Sequence, residues 1–284
     1  MKDRLELQQI SFHYSGIATS PYDILRDVSL TFDQTQCAAI VGQSGAGKTT
    51  LIQHFTGLLR PTSGSIRFNG TDIWSKGFKQ SVLRRKIGLV FQFPENQLFE
   101  ETVESDIAFG PKNYGLSEHE IDERILQAMQ AVELPEAFRK RSPFRLSEGE
   151  KRRVAIAGVL AMQPDMLIFD EPTAGLDPRA VQRFVTIVQR LLQMQKSIII
   201  VTHNMDFVAE VATRVIVLQQ GSVVFDGLPH TLFANSILLE NAGLESPTVV
   251  RSLRAFGKPL PQEFKDIISY GELSKRAQAY FAQT

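Results

Sequence analysis

Gly42-Gln43-Ser44-Gly45-Ala46-Gly47-Lys48-Thr49 occupies every fixed position of the G-x-x-x-x-G-K-[ST] phosphate loop. Gly45 and Gly47 allow the backbone to turn with its N–H groups facing inward, where they bond phosphate oxygens without a Cβ in the way. Lys48 supplies a cation for the β- and γ-phosphates, and Thr49 offers a hydroxyl to Mg²⁺, an ion that keeps much of its water shell and takes few protein ligands. Cys37-Ala38-Ala39-Ile40-Val41 just upstream is an apolar run typical of a buried strand. Residues 48–57 read as a helix whose N-terminal dipole lies under the phosphates.

The chain has 284 residues, of which 43% are hydrophobic, enough for a sizeable core in one large domain or one domain with an appendage. Lys plus Arg and Asp plus Glu both number 31, so no global basic field points to nucleic acid. The single cysteine, Cys37, sits in a predicted core strand and leaves no intrachain disulfide, which suits the cytoplasm. No run approaches the ~18 apolar residues needed to span a bilayer, and Met1-Lys2-Asp3-Arg4 does not lead into a signal-peptide core. Any membrane role is therefore expected to come through a partner.

Leu5, Leu7, Ile10 and Phe12, and again Val28, Leu30 and Phe32, alternate as in strands, so the opening is β-rich. Tyr14 precedes a polar loop, residues 15–21; an aromatic there is either a rim packing residue or a platform for an adenine ring. Residues 65–68 form a short strand between turns at Pro61-Thr62-Ser63-Gly64 and Asn69-Gly70, and residues 87–91 are a buried strand ending at Gln92 and Pro94. Residues 93–162 read as an α-helical subdomain, with helices over 102–109, 117–133 and 150–162 separated by Gly110-Pro111 and Ser142-Pro143. Ser117-Glu118-His119-Glu120 has the form of a capping box. Strands at 166–169 and 198–201 then alternate with helices at 178–194 and 205–212, the pattern of a parallel sheet covered by helices, and strands at 214–219 and 223–226 flank a turn at Gly221. Residues 236–284 read as a small appendage whose apolar residues, including Leu253, Phe256, Phe264, Ile267 and Ile268, are too few for their own core. They are expected to pack on the main domain or on a partner.

Met166-Leu167-Ile168-Phe169-Asp170-Glu171 is an apolar strand ending in two carboxylates, the usual form of a second nucleotide motif. Asp170 is expected to reach the Mg²⁺ shell, and Glu171 to orient or activate an attacking water. Gln92 and His203 lie at or just beyond the ends of predicted parallel strands, where ligands collect on an open sheet.

The ordered set of Gly42 to Thr49, Gln92, Leu146-Ser147-Glu148-Gly149-Glu150, Asp170-Glu171, Ala174-Gly175-Leu176-Asp177 and His203 resembles the motifs of an ABC transporter ATPase over residues 1–235. Phe91-Gln92-Phe93-Pro94-Glu95-Asn96-Gln97-Leu98-Phe99, residues 102–113 and residues 152–162 resemble the ATPases of energy-coupling factor transporters. Arg141-Ser142-Pro143-Phe144 and residues 236–284 are most similar to the second of the two paired ATPase subunits of that group.

The resemblance implies a P-loop α/β ATPase domain over residues 1–235 and a dimerisation appendage over 236–284. It implies ATP and Mg²⁺ as cofactors, with ATP contacts from Tyr14, Gly42, Gln43, Ser44, Gly45, Ala46, Gly47, Lys48, Thr49, Thr50 and Asp177. Thr49, Gln92 and Asp170 are implied as Mg²⁺ ligands, and Lys48, Gln92, Glu171 and His203 as catalytic. Ser147 and Gly149 are implied to act in trans, on ATP held by a second homologous ATPase subunit. Further implied partners are a transmembrane coupling subunit and membrane substrate-binding subunits, with this chain peripheral on the cytoplasmic face and powering uptake of vitamins or other micronutrients. The family consensus Leu-Ser-Gly-Gly-Gln is replaced at Glu148 and Glu150, which predicts a slower ATP site at this signature loop. Glu95, Glu100 and Glu101 around the Gln92 loop are expected to receive basic side chains from the membrane partner. Two other readings stand beside this one: the ATPase of a cobalt or nickel importer, and a soluble ABC protein outside transport.

Overall fold

The computed structural model describes residues 3–14, 23–33, 35–255 and 266–283, with side chains to residue 279. The predicted loop at 15–21, Phe256, Phe264 and the Gly257-Lys258-Pro259 and Pro261 interruptions lie outside the described residues.

The strands in chain order are β1 (Leu5–Phe12), β2 (Leu25–Phe32), β3 (Cys37–Val41), β4 (Ser63–Phe68), β5 (Thr71–Asp72), β6 (Ile87–Val90), β7 (Met166–Asp170), β8 (Ser197–Val201), β9 (Arg214–Gln219) and β10 (Ser222–Gly227). The helices are α1 (Lys48–Phe55), α2 (Gln80–Lys86), α3 (Val103–Asn113), α4 (Glu118–Ala131), α5 (Glu148–Ala161), α6 (Pro178–Gln193), α7 (Met205–Val211), α8 (Pro229–Ala234), α9 (Ser236–Asn241), α10 (Thr248–Ala255) and α11 (Tyr270–Gln283). One sheet has four strands in the order β2-β1-β4-β5, and the other has six in the order β10-β9-β3-β8-β7-β6. In the larger sheet β3 pairs in parallel with β8 and β9, and β7 with β6 and β8, while β10 runs antiparallel at the edge.

All five residues of β3 and of β7 are buried, as expected where helices or a second sheet cover both faces. Alternate residues of these strands enter different cores. Ala38, Ile40, Ile168 and Ile199 face the small sheet and α1, and Cys37, Leu167, Phe169, Ile198 and Ile200 face α3 to α6. Burial pushes the Cys37 thiol well above its ordinary pKa, leaving a small hydrophobe rather than a nucleophile. The register sets Ile40 and Asp170 both level with Val201 of the intervening β8, so the chain leaves β3, β7 and β8 side by side. Gly42, Glu171 and His203 emerge there.

Among the helix boundaries that depart from the sequence expectation, two have a clear local cause. The helix predicted to stop before Gly110-Pro111 continues as α3 to Asn113. Pro111 lies in its last turn, so the bond it cannot donate to the Ile107 carbonyl is lost only near the helix end, and Gly110 admits Met162, whose Cγ would be 2.7 Å from an added Cβ. Helix α5 begins at Glu148 rather than 150, because Ser147 is its N-cap and Glu150 Oε2 accepts from the Ser147 N–H and hydroxyl at 2.8 and 2.7 Å. The box predicted at Ser117 and Glu120 caps α4. Strand β5 and helix α2 carry no clear sequence period and were not anticipated.

The segment after Asn235 is not free-standing. Leu239, Ala242, Val249, Val250, Ile267 and Ile268 share one core with Ala39, Val41, Val215 and Val217, filling the end of the sheet face that α3 to α6 leave open. Its shortage of apolar residues is thus met by packing on the main sheet.

Candidate active site

A cavity of about 970 Å³ opens at the carboxyl ends of β3, β7 and β8. The phosphate loop forms its floor. Gly42 lies against β9 so closely that a Cβ would come within 2.2 Å of the Leu218 carbonyl oxygen. Gly47, at φ 99°, caps α1, and an added Cβ would stand 2.8 Å from the Ile24 carbonyl oxygen. Lys48 Nζ donates to the carbonyl oxygens of Gly42 and Gln43 at 2.7 and 2.9 Å, which keeps the ammonium over the loop. Burial lowers its pKa, and the carboxylates of Glu171 and Asp170 work against that shift.

Opposite the loop stand the two acids. Asp170 is 7% exposed, and its carboxyl is pushed up to about 6, first by burial and then by the neighbouring Glu171 carboxylate, against the pull of Lys48. Glu171 sits in the left-handed region at φ 46°, with its N–H donating to the Val201 carbonyl at 2.8 Å. Its Oε2 accepts from the Thr202 hydroxyl at 3.2 Å, and its Oε1 lies 2.9 Å from His203 Nδ1. Glu171 is therefore oriented from two sides, 15% exposed, beneath a His203 ring that is 74% exposed. Tyr14 stands at the other end, its hydroxyl 3.4 Å from that of Thr50 and its ring edge-on to Phe12.

Of the residues singled out from the sequence, Tyr14, Gly42, Gln43, Ser44, Gly45, Gly47, Lys48, Thr49, Thr50, Gln92, Asp170, Glu171 and His203 line this one cavity. Ala46, within the loop, is buried and does not line the cavity. Ser147, Gly149 and Asp177 do not join them: they line a separate groove of about 520 Å³ between α5 and α6. There Asp177 caps α6 by accepting from the Ala180 N–H at 2.9 Å. Hydrogen bonds from Ser147 hold the Glu150 carboxyl below its usual range, so this departure from the family consensus is absorbed into the helix cap. Glu148 points outward, 70% exposed, with Lys151 Nζ at 2.8 Å.

Glu95 corrects an expectation. Its side chain is 6% exposed and bound by Arg152, so it is not available to a membrane partner; Glu101 remains exposed. Sequence reasoning also missed the last wall of the cavity, formed by Gly243, Leu244, Glu245, Ser246 and Arg251. Gly243, at φ 61°, lies so close to Gln43 that an added Cβ would overlap its amide. No motif marks this stretch.

A glycine-rich anion cradle with its lysine, and an oriented carboxylate across the cavity on the same parallel sheet, define a P-loop nucleotide triphosphatase. The sequence profile of the ABC transporter family matches residues 25–174. The chain is 42% identical over 284 residues to the energy-coupling factor transporter ATP-binding protein EcfA2 of Caldanaerobacter subterraneus subsp. tengcongensis, covering 99% of this chain and 98% of that one. It is 50% identical over 231 residues to the EcfA2 of Clostridium tetani, covering 81% and 80%. Among solved structures, cbiO1 of Clostridium perfringens, part of the ABC transporter complex cbiONQ, superposes with a TM-score of 0.77 at 35% identity over 89% of this chain and 100% of that one. The ATP-binding cassette MJ0796, as a dimer in a post-hydrolysis state with ADP and Pi, gives 0.70 at 26% identity over 79% and 98%. The chain belongs to the energy-coupling factor transporter ATP-binding proteins of the ABC transporter family.

Proposed function

We propose that this chain hydrolyses ATP to power uptake of a vitamin or another micronutrient, as a peripheral subunit on the cytoplasmic face of the membrane. Its partners in this reading are a second homologous ATPase, a transmembrane coupling subunit and membrane substrate-binding subunits. Residues 1–235 act as the ATPase domain and 236–284 in pairing. The described residues contain no helix long and apolar enough to cross a membrane. The observation that carries the reading is Glu171, held by Thr202 and His203 across the cavity from Lys48.

The inward backbone N–H groups of Gly45 and Gly47 and the Lys48 ammonium bind phosphate oxygens, and Tyr14 offers its ring to the adenine. The Thr49 hydroxyl and the Asp170 carboxylate are hard oxygen donors in one cavity, the sparse set suited to Mg²⁺ that shares its remaining ligands with phosphates and water. Gln92 lies at the same rim and links this point to the membrane partner. Mg²⁺, when bound, supplies positive charge against the phosphates. Glu171 accepts a proton from the attacking water, and the exposed His203 steadies the carboxylate and reaches the terminal phosphate. Ser147, Gly149 and Asp177 serve the second subunit's nucleotide, which fits their position in a groove of their own.

Glu171→Gln in the assembled complex tests the assignment. ATP binding is expected to persist while turnover falls by at least about a hundredfold, because the amide keeps the volume but is no base. Turnover near that of the parent refutes it. The alternative cargo is a cobalt or nickel ion, because the ATPases of such importers share most of the motifs of this chain. Purification with several different substrate-binding membrane proteins supports the micronutrient reading, and a single dedicated partner supports the metal reading.

A further inference from the structure

Arg152 has no part in the chemistry above, yet it is 5% exposed and uses four of its five N–H donors. Nε and Nη2 donate to the two oxygens of Glu95 at 2.9 and 2.6 Å. Nη1 donates to the carbonyl oxygens of Pro172 at 3.1 Å and Ala174 at 2.9 Å. The guanidinium also lies 5.8 Å from the centroid of the Phe93 ring. Burial raises the pKa of the Glu95 carboxyl, but the hydrogen bonds and charge of Arg152 outweigh it and leave it below its ordinary value. The pair is therefore ionised, with both Glu95 oxygens bound by the guanidinium.

These contacts join three functional segments. Arg152 stands on α5, three residues beyond Gly149 and five beyond Ser147. Glu95 lies three residues beyond Gln92, in the short 3₁₀ turn Pro94–Gln97. Pro172 directly follows Glu171, whose left-handed backbone persists only where its surroundings over-determine it. On one side that conformation is held by the Glu171 N–H on Val201, and on the other by Arg152 gripping the Pro172 carbonyl. We propose that Arg152 is a positioning residue that ties the signature helix to the Glu171 backbone and to the Gln92 loop of the same chain. Displacement of α5, or of the Gln92 loop by a membrane partner, then moves the Glu171 carboxylate relative to the phosphate loop. A buried ion pair is weak evidence for stability alone, since apolar residues of equal volume often serve as well. A planar fork spanning a carboxylate and two carbonyls is a geometric device that a lysine does not reproduce.

The inference rests on Glu171 as the base. Its test is ATP hydrolysis by the assembled complex carrying Arg152→Lys, Glu95→Gln, Glu171→Gln or the Arg152→Lys/Glu171→Gln pair. ATP affinity is measured alongside by direct titration. Arg152→Lys is expected to lower kcat about tenfold or more, with KM and ATP affinity within about threefold. Glu95→Gln, which keeps the volume and leaves the two carbonyl bonds in place, is expected to lower kcat less, by about two- to fivefold. It carries the test if Arg152→Lys fails to fold. In single turnover, Arg152→Lys is expected to add no loss to that of Glu171→Gln, because both act through one carboxylate. Parental kcat in the folded Arg152 and Glu95 variants overturns the proposal, as does a fully additive loss in the double variant. Parental turnover in Glu171→Gln overturns the assignment of the base and the coupling with it. A large kcat effect of Glu171→Gln with none at Arg152 overturns the coupling alone.

Discussion

Asp170→Asn is expected to stabilise the nucleotide-free protein while abolishing its Mg²⁺-dependent work. The carboxyl is 7% exposed, and burial and the Glu171 charge raise its pKa to about 6. In the unfolded chain the value is about 3.9. Between those values the folded state binds more protons than the unfolded one, so stability is complete below pH ~4, falls as the pH rises through ~6, and is flat above. A rise of about two units, at about 1.4 kcal/mol each, amounts to about 3 kcal/mol lost at pH 8. Roughly half of that is already lost at pH 5. Asparagine resembles the protonated acid in size and polarity but does not titrate. Urea unfolding of the isolated chain in EDTA at pH 5 and pH 8 checks this. The variant is expected to exceed the parent by about 3 kcal/mol at pH 8 and by about 1.5 kcal/mol at pH 5. A variant no more stable than the parent at pH 8, or a margin that does not narrow toward pH 5, refutes the reasoning.

Glu148→Gly is expected to change turnover of the assembled complex by less than about fivefold, because Lys151 already offsets an exposed charge and such pairs contribute at most about 1 kcal/mol. A gain of tenfold or more restores the slower site expected from the signature sequence alone. Ser117→Ala removes the hydroxyl that accepts from the Glu120 N–H at 3.3 Å and is expected to cost about 1 kcal/mol, seen as a fall of about 2–4 °C in Tm. An unchanged Tm contradicts a contribution from the box.

The phosphate loop was legible because its pattern is contiguous: glycines, one lysine and one hydroxyl stand at fixed spacing between a strand and a helix. Asp170 and Glu171 were legible for a similar reason, as the end of an apolar strand. The Ser117 box needs only three residues of local spacing. The resemblance to energy-coupling factor ATPases likewise lay in short ordered motifs, and the comparisons bear it out.

Other features depend on which distant segments meet. Arg152 and Glu95 are 57 residues apart, and Glu95, in an acidic stretch, reads as a solvated charge until α5 is laid against its turn. Gly243 belongs to no motif, yet it closes on Gln43 because the C-terminal helices fill the sheet face beside β9. Periodicity marks which residues of an element are apolar, but the partner they bury against follows from strand order and register, where a slip of one residue reverses every side chain. The chemistry of the nucleotide cradle was thus written locally in the sequence. Tertiary pairing decided the orientation of Glu171, the separation of the signature groove, and the wall supplied by the C-terminal segment, because each requires groups far apart in the chain to be held together by packing.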